Sequence, residues 1–284
     1  MTTRLTVAAR SDGGRVRTLN EDAFLVADLV GGASSMDRDA VRLEVGARGA
    51  LLALADGMGG HAAGEVASAM TLASLHRALA EASTSPGSAA RVQSAVERAN
   101  QDVYEAGRAN PEQQKMGATL TAVLIEGQVA HIAEIGDSRA YVLRNGEIRQ
   151  VTRDQSLVQG LLDHGALTAA EVETSTMRNV LTQAIGQGPH VDVAVTSLAL
   201  RQLDCLLVCS DGLWGKLSMA ELRDVVLAAP SLEVACERLV ALANERGGED
   251  NVTVILAGVS GDVPSAAAGE HISGTFRVLS TFDP

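Results

Sequence analysis

Ala50-Leu51-Leu52-Ala53-Leu54-Ala55-Asp56-Gly57-Met58-Gly59-Gly60-His61 is the stretch on which the reading turns. An unbroken apolar run ends, without a linker, in an acid and a glycine-rich turn. A short continuous run bounded by turn residues suits a strand buried on both faces. Gly59 to Gly64 then opens a helix, as a phosphate-binding loop does. Such a loop needs Lys and then Ser or Thr, and the chain has Glu65 and Val66. An acid there repels phosphate, so a nucleotide-hydrolase reading is set aside.

Working outward, the same arrangement recurs. Asp211 follows Cys205-Leu206-Leu207-Val208-Cys209-Ser210, and Asp137 follows Ile132-Ala133-Glu134-Ile135-Gly136. Asp250 directly precedes a strand beginning at Asn251, and Glu21 and Asp22 precede one beginning at Ala23. Further strands are expected over 5–9, 119–125, 129–135, 140–143, 191–198 and 252–259. The turn Asn145-Gly146 is a hairpin signal. Residues 31–49 read as an inserted loop or hairpin. Helices are expected over 64–81, with a stripe of Val66, Met70 and Ala73, and over 89–108, with Val92, Val96, Ala99 and Val103. A second pair covers 218–229 and 231–245. Paired helices and meandering strands disfavour a strictly alternating parallel sheet and favour two antiparallel sheets with helices outside.

In such a sandwich the acids at strand starts and strand ends can share one rim. Clustered carboxylates without cations beside them do not all ionise cheaply. A hard divalent ion resolves this, because oxygen ligands suit Mg2+ and Mn2+. One Asp at a strand end is ordinarily a turn or cap residue; five such positions weaken that explanation.

The blocks Arg17-Thr18-Leu19-Asn20-Glu21-Asp22, Ala55-Asp56-Gly57-Met58-Gly59-Gly60-His61, Gly136-Asp137-Ser138-Arg139, Ser210-Asp211-Gly212-Leu213-Trp214 and Glu249-Asp250-Asn251-Val252-Thr253 stand in the order seen in the PPM (type 2C) protein phosphatases. The form Asp-Gly-Met-Gly-Gly-His resembles the bacterial branch. The resemblance covers residues 10 to about 258. It implies an α+β fold, a four-layer α-β-β-α sandwich of two mostly antiparallel sheets flanked by helix pairs. It implies hydrolysis of phosphoserine and phosphothreonine on proteins with two divalent metal ions, Mn2+ or Mg2+. Asp56 would bridge them, Asp211 and Asp250 would complete one shell, and the Gly57 carbonyl would bind the other ion. Glu21 and Asp22 would act through water, and Arg17 would hold the substrate phosphate with its planar fork. Such a metal pair supplies hydroxide near neutral pH.

A third, weaker metal site would use Asp137 and Asp211, but the position four residues after Asp211 is Gly215, followed by Lys216. A weak or altered third site is the expectation. Met58 stands where eukaryotic members carry a His, which leaves His61 as the nearest candidate for proton transfer. His131 alternates with Val129, Ala133 and Ile135 and reads as packed. Residues 152–190 resemble the family's flap, and His164 falls within them.

The chain has 284 residues, 46% hydrophobic and 2% aromatic, with net charge −12. This charge, with no run of Lys or Arg, argues against nucleic acid and anionic membranes. No segment approaches the ~18 apolar residues of a membrane span. Cys205, Cys209 and Cys236 lack zinc spacing and read as buried thiols in a reducing compartment. The expectation is a cytoplasmic monomer with phosphoprotein substrates and a cognate Ser/Thr kinase. Residues 1–260 are expected to form the phosphatase domain, and 261–284 a tail that need not be ordered. Two rival readings stand beside this: a non-catalytic phosphoprotein-binding or sensor domain on the same fold, and a hydrolase of a small phosphoester.

Overall fold

The computed structural model describes residues 2–30, 32–34, 41–60, 63–82 and 87–282. The first part of the chain forms β1 (Thr3–Asp12), β2 (Asp22–Asp28), β3 (Gly32–Ser34), β4 (Val41–Glu44), β5 (Ala50–Met58), α1 (Ala63–Glu81) and α2 (Ser88–Ala109). The middle forms β6 (Gly117–Ala118), β7 (Leu120–Glu126), β8 (Val129–Ile135), β9 (Arg139–Arg144), β10 (Glu147–Gln150), α3 (Leu157–Asp163) and α4 (Ala169–Thr174). Then come β11 (Ala194–Ala199), β12 (Cys205–Cys209), α5 (Asp211–Trp214), α6 (Met219–Ala228), α7 (Leu232–Glu245), β13 (Val252–Gly261) and β14 (Phe276–Ser280).

One sheet runs β10-β9-β12-β13-β1-β4 and the other β14-β11-β8-β7-β5-β2-β3, with β6 paired to β5. Every pairing between them is antiparallel. Strand β5 explains why the sheets stack. Ala50, Leu52 and Leu54 enter the layer between the sheets, while Leu51, Ala53 and Ala55 face α1 and α2. Alternation along a strand with both faces apolar requires cover on both sides. A third cluster joins α7 to the outer face of the other sheet through Cys236, Leu239 and Ala243. The four layers expected from the sequence are therefore present.

Asn145 and Gly146 take φ of 51° and 80° and close the β9–β10 hairpin, the backbone that Asn-Gly favours. Helix α2 buries Val92, Val96, Ala99 and Val103 completely, as its periodicity predicts.

Three expectations are corrected. The buried stripe of α1 runs through Ala67, Leu72, Leu75 and Leu79, while Val66 and Ala73 face outward. The small residues Ala67, Ser68, Thr71 and Ser74 let this helix lie close on the sheet, which an apolar count does not register. Residues 31–49 are not simply an inserted hairpin. β3 pairs with β2, whereas β4 pairs with β1 in the other sheet, so this segment crosses between layers. The region beyond residue 260 is not a loose tail. Ile272 is fully buried and β14 adds an edge strand to β11. Arg144, buried with Asp204, forms two 2.7 Å bonds to that carboxylate and also reaches Glu270 and Thr275 Oγ1. That ion cluster pins the segment leading into β14.

Candidate active site

Antiparallel alternation brings the acidic positions together. The end of β5 lies beside the start of β2, with Asp22 paired across from Asp56. Asp137 follows β8, Asp211 opens α5 directly after β12, and Asp250 precedes β13. Arg17, Glu21, Asp56, Gly57, Asp137, Asp211 and Asp250 all line one cleft of about 540 Å3. Asn179, Gln183 and Gln187, from the segment between α4 and β11, also line it.

Two glycines are required by close approach rather than by turn conformation. A Cβ on Gly57 would lie 2.1 Å from the Gly64 carbonyl oxygen, and one on Gly212 would lie 2.0 Å from that of Asn251. Gly57 N–H donates to the Glu21 carbonyl at 3.1 Å, locking the Arg17–Asp22 loop to the end of β5.

The carboxylates share one electrostatic condition. Burial raises the pKa of Asp56, and the neighbouring Asp22, Asp211, Asp137 and Asp250 raise it further. Asp137, Asp22 and Asp211 are raised for the same first reason, burial, with like charges adding to it. Glu21 is raised by burial as well, against an opposing pull from Arg17. Glu21 Oε1, Asp22 Oδ1 and Asp211 Oδ1 are buried without a hydrogen-bond partner. Orphaned buried carboxylate oxygens are costly, and such oxygens are the ligands that hard divalent cations take. Among the described residues no three acidic, His or Cys side chains are arranged closely enough to hold a metal ion by themselves. Arg17 donates to Asp250 Oδ2 at 2.8 Å across the mouth of the cleft.

Asp22 is set apart from the other acids. It is 9% exposed, does not line the cleft, and accepts from Ser210 Oγ at 2.8 Å. It sits beneath Asp56 because β2 pairs there. His61 lies outside the described residues. His164 caps α3, with Nδ1 2.8 Å from the Gly160 carbonyl, and does not line the cleft. His131 is half-buried against Ser197 Oγ at 2.7 Å. Lys216 pairs with Glu249 rather than with the carboxylates beside Gly215.

Two supporting residues escaped the sequence reading. Asn251 accepts from Glu21 N–H at 2.8 Å and donates to the Gly13 and Leu19 carbonyls, so it fixes both sides of the Arg17 loop. Its place directly after Asp250 was the available signal. Thr119 Oγ1 accepts from Asp56 N–H at 3.1 Å and meets Ser138 Oγ at 2.7 Å. Nothing in its local sequence marks it.

This is an oxygen-lined, cation-seeking cleft at the rim of a four-layer sandwich, with an arginine at its mouth. The sequence profile of the Protein phosphatase 2C family matches residues 32–254, and the chain belongs to that family. It is 38% identical over 255 residues to serine/threonine protein phosphatase PstP of Mycobacterium tuberculosis, covering 90% of this chain and 45% of that protein. The chain thus spans about half the length of that relative. It is 32% identical over 250 residues to the serine/threonine phosphatase stp of Listeria innocua, covering 87% of this chain and 93% of that one. The crystal structure of the PstP catalytic domain in complex with two manganese ions superposes with a TM-score of 0.75 at 37% identity. It covers 91% of this chain and 100% of that one.

Proposed function

We propose that this chain hydrolyses phosphoserine and phosphothreonine esters on proteins, using two divalent cations, Mn2+ or Mg2+. The observation that carries this reading is the convergence of Glu21, Asp56, Asp137, Asp211 and Asp250 on one cleft, with buried oxygens left unpaired. Two manganese ions in the PstP catalytic domain support it. Asp56, Asp211 and Asp250 would hold one ion, and Asp56 with the Gly57 carbonyl the other. Glu21 and Asp22 would steady them through water. When bound, the ions supply an activated water near neutral pH and offset the charge of the phosphate.

The chain's own groups do the rest. Arg17 is half-exposed and would exchange Asp250 for a phosphate, which its guanidinium grips at two points. Asn251 and Gly57 hold the loop that carries Arg17 against the rim. Gln183 and Gln187 brace the cleft wall, their amides bonded to Gln155 and Asp192 and to the Lys115 and Met116 carbonyls. Asp22, held by Ser210 Oγ and paired across from Asp56, places a second buried acid beside it. Proton transfer by His61 is part of the proposal only as a candidate. Gly215 leaves a third cation with Asp137 and Asp211 alone, so its binding is weak. The enzyme would act in the cytoplasm as a monomer, opposing a Ser/Thr kinase. The three free cysteines fit a reducing compartment. No helix among the described residues is long and apolar enough to cross a membrane.

The test is release of inorganic phosphate from a phosphothreonine peptide in EDTA, Mg2+ or Mn2+, beside Asp56→Ala. Metal-dependent turnover absent from Asp56→Ala is expected. Folded protein inert with either metal overturns the proposal in favour of a binding or sensor domain.

A further inference from the structure

A second cavity, of about 280 Å3, lies where the space between the sheets opens beside edge strand β14. That volume is near the lower end of small-molecule sites, ~300 Å3. Its walls are Val151 to Ser156 on one side and Ala194, Thr196, Phe276 and Phe282 on the other. Glu134 lines it from β8, only 7% exposed, directly opposite Ala194 in the β8–β11 register. The β11–β14 pairing slips between Val195 and Thr196, beside this wall. Register irregularities of this kind locally interrupt a ladder and bend the edge.

Glu134 has an unusual set of partners. Both of its oxygens face the Arg153 backbone N–H, at 2.9 and 3.0 Å, and no cationic side chain forms an ion pair with it among the described residues. The charges beside it are committed elsewhere. The Arg153 side chain pairs with Asp163, and Asp154 pairs with Arg139 at 2.7 Å. Arg149, on β10, stacks over the Phe276 ring at 5.3 Å. A buried carboxyl without a cationic side chain is the exception in proteins; burial makes it hold its proton to higher pH than usual, a bound cation would draw out the ionised form, and here it faces a space that a ligand fits.

We propose that this cavity binds a small organic cation, an amidinium or ammonium on a compact apolar body. The charged nitrogen would meet Glu134 and the apolar body would lie between Val151, Phe276 and Phe282. A forked cation would use the acceptor positions of the carboxylate that the Arg153 N–H and the Thr152 side chain leave open. The net charge of −12 favours entry of a cation. The site also touches the cleft's own framework. Thr182 lines both cavities and bonds the Gln155 carbonyl, and the Gln155 side chain joins the Glu134 carbonyl to the Gly136 N–H beside Asp137.

The experiment is amide chemical-shift titration of the whole 15N-labelled chain with benzamidine, its neutral near-isostere benzamide, and benzoate. Excess Mg2+ is present to compete at the acidic cleft. Saturable shifts at Arg153 and Gln155 are expected, with benzamidine at least tenfold tighter than benzamide and benzoate not binding. Glu134→Gln should bring benzamidine down to the benzamide level. Ala194→Leu, which fills the space without touching the charge, should block both. Dispersed spectra of both variants confirm folding, and either variant suffices if the other misfolds. Equal binding of benzamidine and benzamide, unchanged benzamidine binding in Glu134→Gln, or no saturable shift up to millimolar ligand each overturns the proposal.

Discussion

Gly57→Ala is the substitution whose consequence follows most directly from the packing. The new Cβ would lie 2.1 Å from the Gly64 carbonyl oxygen and 2.7 Å from that of Glu21, where ordinary contact begins near 3.4 Å. Both obstacles are backbone, so no side chain can swing aside. The start of α1 and the Arg17 loop must each move, the former by about 1 Å. Overpacking of this kind costs about 1–3 kcal/mol, and loss of the Gly57 N–H bond to Glu21 adds about 1 kcal/mol. A total of about 2–4 kcal/mol lowers Tm by roughly 3–7 °C in a chain of this size. Displacement on the 1 Å scale also reduces catalysis by on the order of a hundredfold. Differential scanning calorimetry in EDTA reads the first effect and phosphate release in Mn2+ reads the second. A variant melting within about 1 °C of the parent, with unchanged turnover, would refute the claim that close approach fixes glycine at this position.

Other substitutions separate the remaining contributions. Arg17→Lys keeps the charge but loses the fork. It should lower kcat/KM by roughly 10–100-fold while leaving the melting temperature nearly unchanged, because the side chain is half-exposed. Asp204→Ala strands the buried Arg144 and should destabilise by about 3–5 kcal/mol, with amide exchange in Phe276–Ser280 accelerating most. Burial lifts the Glu134 carboxyl to about 8, where Arg153, Asp154 and Thr152 face it. The folded pKa lies above the unfolded one, so its stabilising contribution is full below the unfolded value, near 4.5, and is lost as pH rises through about 8. Glu134→Gln should therefore match the parent near pH 5 and exceed it by on the order of 1–3 kcal/mol near pH 9. Chemical denaturation at the two pH values checks this, and a constant difference between them would count against it.

Much of the fold can be read from local pattern. β5 is legible because burial on both faces leaves an unbroken apolar run, and α2 because its valines repeat at helical spacing. The acids of the rim are legible because each abuts a strand end. β14 is not, since its placement depends on pairing with β11 and on the Arg144 ion cluster, both distant in sequence. The packed face of α1 is concealed by its small residues. Asp22 reads like its neighbours, yet strand pairing sends it below the cleft, and Asn251 and Thr119 acquire their roles only through contacts across the chain.

The central claim is that the carboxylate rim holds the cations on which turnover depends. The direct measurement counts bound Mn2+ per chain after equilibrium dialysis, with phosphate release followed on the same samples. Two tightly held ions per chain are predicted, with activity rising in proportion to their occupancy and both lost in Asp56→Ala. Turnover in metal-free protein, or full Mn2+ binding by Asp56→Ala, would contradict it.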